Sequence, residues 1–133
     1  MISAVIDTNV LVSAFWSFGR DTPPMRILRA MANGAFAVLV SEGVLSEYGQ
    51  VLRRRKFGFD AEDVDALLDH ISRCARWVVP AESGEDFPDA KDEVFYCTAL
   101  AVDGAKVVTG NAKHFPRTPT VVTPAEFCEI LGI

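Results

Sequence analysis

Five short runs rich in β-branched residues punctuate the chain: SAVI (3–6), AVLVS (37–41), RWVVP (76–80), KVVT (106–109) and TVVT (120–123). Runs of this length and composition read as strands. Helix-length patterns lie between them. Strands that alternate with helices must run parallel and be joined by right-handed crossovers, which places helices on both faces of the sheet. The expected fold is therefore α/β, a three-layer α/β/α sandwich around a central parallel sheet. In such folds the functional site lies at the carboxyl ends of the strands, beside a reversal in strand order. The residues that follow each strand are the ones to watch.

The helical stretches have legible starts and stops. Pro23-Pro24 opens a helix that Gly34 closes. Ser41 to Arg55 sets Val44, Leu45, Tyr48, Val51 and Leu52 on one face. Asp60 to Cys74 does the same with Val64, Leu67, Leu68 and Ile71, and Asp89 to Val102 with Phe95, Tyr96, Ala99 and Leu100. Thr123 and Glu126 form the signature of a capping box before a short last helix.

At 133 residues, half of them hydrophobic, the chain suits one domain spanning 1–133. Its apolar runs fall far short of the ~20 residues that a membrane helix needs, and MISAVID has no basic start or cleavage site of a signal peptide. Cys74, Cys97 and Cys128 are odd in number and widely spaced, a pattern of reduced thiols and a cytoplasmic location. The net charge of −5 excludes a general nucleic-acid coat, which would be basic. It suits a cation site.

The carboxylates draw attention by position. Asp7 interrupts an apolar stretch in VIDTNVLV, directly after the first strand. A charge there needs compensation. Either Asp7 caps a helix starting near Val10, or it holds something positive. Thr8 and Asn9 can cap equally well, which frees Asp7 for a site. Glu47 flanks the apolar stripe of its helix and leans toward the core rim, unless it snorkels outward. Asp92 shares a helix face with Tyr96 and Ala99, so it points inward. It belongs to a run of six carboxylates within twelve residues (82–93), most of which suit a solvated helix start. The fourth strand ends in Thr109-Gly110-Asn111, where a hydroxyl and an amide can orient a water or a carboxylate, or simply form a tight turn.

Three carboxylates on one rim cannot all stay ionised without a counter-charge. Oxygen ligands without a His or Cys cluster select hard cations, Mg2+ or Mn2+. Such sites perform in-line displacement at phosphorus. His70 and His114 do not form a catalytic pair. His70 suits the surface, and His114 lies close enough to Asn111 to touch a phosphate.

Taken together, VIDTNVLVSAF, Glu47 in LSEYGQVL, DAKDEVFYCTALA and VVTGNAKHF resemble the PIN domain, most closely its small prokaryotic VapC-like toxin branch. The resemblance runs in order through nearly the whole chain. It implies a PIN-like, Rossmann-like fold, a Mg2+ or Mn2+ site and endoribonuclease activity. It also implies a cognate antitoxin as partner and a homodimer. The family's three acids fall on Asp7, Glu47 and Asp92, which makes these the catalytic and metal-holding residues. Thr8, Asn9 and Thr109 support them. The fourth acidic position falls on Asn111, a departure that removes one negative charge and puts a second tightly bound metal in doubt. Asp89 or Glu93 is expected to compensate.

Other readings weaken on inspection. A haloacid-dehalogenase-like phosphatase needs an Asp where Asn9 stands. A receiver domain needs an Asp after the middle strand and a Lys after the last, and both are missing. The alternative is a catalytically weak PIN scaffold that binds RNA or a protein partner. The run Arg53-Arg54-Arg55-Lys56, with Arg53 and Arg54 foremost, is placed to touch RNA phosphates, or else to complement a helix end. Trp16, Phe18, Met25 and Leu28 either form an exposed apolar patch for a dimer or a partner, or are in part buried in the core.

Overall fold

A computed structural model describes residues 1–133. The elements follow in the order β1 (Ser3–Ile6), α1 (Thr8–Trp16), α2 (Pro23–Ala32), β2 (Ala37–Val40), α3 (Glu42–Leu52), α4 (Ala61–Cys74), β3 (Arg76–Trp77), α5 (Ala90–Leu100), β4 (Lys106–Val108), β5 (Val121–Val122) and α6 (Pro124–Leu131), with a single 3-10 turn at Ala112–His114. All strand pairs are parallel, in the order β3-β2-β1-β4-β5. This is the expected three-layer α/β/α arrangement.

The central strands are apolar because both of their faces are covered. Ala4, Val5, Ile6, Leu39, Val40, Val107 and Val108 are wholly buried. The helix α5 packs across β1, β2 and β4, while α2 packs on α1 and α6. Each fully buried Leu, Ile or Phe contributes about 1.5–3 kcal/mol through removal of apolar area from water. Tyr48 is fully buried too, and its hydroxyl donates to the Ile6 carbonyl at the end of β1.

Local chemistry sets the helix starts. Thr22, Ser41, Asp60 and Asp89 each accept a backbone N–H at an N-cap, and Thr123 with Glu126 completes the expected capping box. Three expectations need correction. The third strand is only Arg76–Trp77. After one further ladder bond, from the Val78 amide to Val40, Pro80 has no N–H to offer. Helix α3 stops at Leu52 rather than Arg55, because the next residues turn back on themselves and Gly58 adopts φ +63°, a conformation open to glycine. Helix α1 begins at Thr8, not near Val10.

The sheet positions the site. The connections from β1 to β2 and from β2 to β3 move one way across the sheet, whereas the chain then passes to the other side of β1 to form β4 and β5. Strand order therefore reverses between β1 and β4, and a crevice is expected outside their carboxyl ends.

Candidate active site

The residue after β1 is Asp7 and the residue after β4 is Thr109, so the two face each other across the reversal. Backbone bonds fix both: the Asp7 amide donates to Val108 at 2.9 Å, and the Thr109 amide to Val122 at 3.0 Å. The Thr109 hydroxyl donates to Asp7 Oδ2 at 2.7 Å. That hydroxyl in turn accepts the Asn111 amide at 3.0 Å. Gly110 N donates to Asn9 Oδ1 at 3.1 Å, tying the turn after β4 to the start of α1.

The expectation that Thr8 and Asn9 cap α1 is therefore not met. Asp7 holds the N-cap position by its backbone, yet its side chain makes no capping bond. Its carboxylate turns to Thr109 instead, and Asn9 is spent on Gly110. Thr8 Oγ1 is buried without a hydrogen-bond partner, which is costly for a hydroxyl.

The electrostatics are strained in one direction. Asp7 is buried, and its carboxyl is pushed up to about 6, mainly by burial, with the Thr109 hydrogen bond opposing and the Asp92 charge adding to the rise. Asp92, in the first turn of α5, has a side chain 21% exposed, with His114 Nδ1 at 3.8 Å from Oδ2. Burial raises its carboxyl as well; Asp89 and Glu47 add to that and His114 opposes it. Glu47 is partly buried on α3. The fields of Asp7, Asp92 and Glu47 thus overlap in sequence, Asp7 with Asp92 and Asp92 with Glu47.

No three His, Cys, Asp or Glu side chains converge closely enough to form a finished cation cage. The donor chemistry nevertheless fits a hard divalent cation. It is all oxygen, short of positive charge, and includes a desolvated carboxylate whose ionised form needs a partner.

The supporting residues divide. Asp89 is the α5 N-cap, accepting the Lys91 amide at 2.9 Å, so its charge acts on Asp92 from a fixed place. Glu93 lines a separate hollow with Pro80, Gly84 and Glu85. Asn111 is exposed and its side chain caps nothing. Arg53 is committed to Asp65 at 2.6 Å, while Arg54 is exposed without an ion pair. His70, expected at the surface, is half-buried with Nε2 enclosed and unpartnered, because the same turn of α4 carries core Ile71. Cys74, Cys97 and Cys128 are all free. Sequence reasoning did not find the Tyr48 bond to Ile6. Its signal was present, a tyrosine in an apolar helical stripe, whose hydroxyl must find a partner when buried.

A family model described as PIN domain matches residues 3–113. The chain belongs to the PIN domain family. This PIN domain also resembles, with a TM-score of 0.56 and 20% identity, a chain in the crystal structure of VapBC2 from Rickettsia felis bound to a DNA fragment from their promoter; the match covers 92% of this chain and 97% of that one. At that identity the likeness speaks for the fold. No curated protein matches significantly. No helix is long and apolar enough to cross a membrane.

Proposed function

We propose that this PIN domain is a Mg2+- or Mn2+-dependent endoribonuclease, the toxin component of a toxin–antitoxin pair. The observation that carries the reading is Asp7, a buried carboxylate at the strand-order reversal, fixed by Thr109 and pushed up by burial and by Asp92. Asp7 and Asp92 would hold the cation, with Glu47 completing the oxygen set. Once bound, such an ion offsets their charge, activates water and stabilises charge developing on a phosphodiester. Thr109 keeps Asp7 in one orientation, so little reorganisation is needed. Asn111 supplies a neutral oxygen where a fourth acid would stand, which favours one tightly held ion over two. The R. felis likeness supports a cognate antitoxin as partner, the family resemblance supports a homodimer, and the three free cysteines support a cytoplasmic location.

A second reading, a scaffold that binds RNA or a protein but cleaves weakly, draws on the neutral Asn111 and the unfinished cage. Incubating the protein with several RNAs in Mg2+, Mn2+ or EDTA, beside Asp7→Asn, separates the two. The nuclease cuts only with metal and only with Asp7. The scaffold binds without cutting.

A further inference from the structure

At the far end of α1 from Asp7, Trp16, Phe18, Phe57 and Phe59 gather round the buried Phe15. Phe57 and Phe59 stack at 5.3 Å with an 8° interplanar angle, Phe59 stacks on Phe15 at 4.8 Å, and Trp16 meets Phe57 edge-on at 5.5 Å. Phe18 leans on Phe15 at 5.0 Å. Trp16 is 59% exposed and Phe18 50%. The turn after α3 that carries Phe57 also carries Arg54, Arg55 and Lys56. Lys56 Nζ sits 5.1 Å from the Phe57 ring centroid, and Arg54, Arg55 and Lys56 are exposed with no ion pair.

We propose that this surface is a stacking platform for single-stranded nucleic acid, taken as RNA on the nuclease reading above. Exposed aromatic side chains beside unpaired cations are the two elements of sequence-tolerant strand binding, one for the bases and one for the phosphates. The chain carries a net charge of −5, so three unpaired cations in the turn that carries Phe57 are a local exception that matches a polyanion. A second copy of the chain is the other occupant that the test distinguishes. From Thr8 to Trp16 the helix rises about 12 Å, a span that a strand of a few nucleotides can cover. One rigid helix thus links the platform to the carboxylates.

The test uses an Asp7→Asn background, so that the strand is not cut, with Trp77→Phe to leave Trp16 as the sole tryptophan. A labelled 12-nucleotide RNA is titrated by anisotropy while Trp16 fluorescence is followed; DNA of the same sequence and duplex RNA serve as competitors. Expected are quenching of Trp16, preference for single strands over duplex, and a loss of affinity of ~10-fold in Trp16→Leu and in Arg54→Ala/Lys56→Ala. Both variants should keep the parent's thermal midpoint. Trp16→Leu removes the ring on which a base would stack and keeps an apolar side chain in its place. Absence of single-strand binding, or binding that leaves Trp16 fluorescence and both variants unchanged, overturns the proposal. So does a wild-type dimer that Trp16→Leu splits while RNA affinity stays the same. Metal-dependent cleavage is measured separately in the Asp7 form. If it fails while the platform binds, the nuclease reading falls and the platform stands; if it persists while both variants bind as the parent does, the reverse holds.

Discussion

Thr109 and Asp7 lie at the ends of two adjacent parallel strands, and the hydroxyl of one donates to the carboxylate of the other at 2.7 Å. The bond spans the place where strand order reverses, so the fold itself brings the donor to the acid. It is also the strongest influence holding the Asp7 carboxyl down against burial.

Thr109→Val keeps the β-branched shape and removes that donor. The buried carboxylate then loses a charge-assisted bond worth about 1.5–3 kcal/mol. Its pKa should rise above the present value of about 6. Carboxyl 13C chemical shifts followed against pH check the rise, and urea melts at neutral pH check the loss of stability.

Asp7 also fixes the sign of a pH effect. In the metal-free protein its carboxyl is raised from 3.8 to about 6 on folding. Between those values the folded state binds more protons than the unfolded one, so stability falls as pH rises through the window. The loss is about 3 kcal/mol, at about 1.4 kcal/mol per pH unit. Asp7→Asn can still accept from Thr109 and carries no charge. It should flatten the slope between about pH 4 and 6 and melt higher than wild type at pH 7.5 without metal. The check is a series of thermal melts across that range.

Restoring a fourth acid tests the departure at Asn111. Asn111→Asp adds a negative charge near Asp7 and Asp92. Without divalent cations the variant should be less stable than wild type, and in calorimetry it should bind Mg2+ more tightly. A variant indifferent to Mg2+ would mean that the exposed Asn111 side chain plays no part in the site.

Tyr48→Phe removes the hydroxyl that donates to Ile6, one residue before Asp7. Leaving that buried carbonyl without its partner costs about 1–3 kcal/mol. In urea the midpoint should drop with the slope unchanged.

Much of this was legible in the sequence because it is local. The β-branched runs, the Thr123–Glu126 box and the inward face of Asp92 depend on spacings of a few residues. The family motifs pointed to Asp7, Glu47 and Asp92, of which Asp7 and Asp92 feel each other's charge, as do Asp92 and Glu47. What escaped depends on contacts across the fold. Asn9 is spent on Gly110, 101 positions away, so it does not cap α1, and Asp7 takes the cap position while aiming its side chain elsewhere. The stack of Phe57 and Phe59 on Phe15 and Trp16 joins two segments that no periodicity connects. Asp89 was expected to supply extra charge and proved to be a helix cap as well, a role its position before Ala90 already allowed.

The proposed nuclease requires Asp7, Asp92 and Glu47 to hold one divalent cation. The most direct measurement is an electron paramagnetic resonance titration of Mn2+ against the wild type, Asp7→Asn and Asp92→Asn, all verified as folded. Expected is one tightly bound Mn2+ in the wild type, displaced by excess Mg2+, with affinity reduced at least ~10-fold in both variants. Equal Mn2+ binding in all three proteins, or none in the wild type, would contradict it.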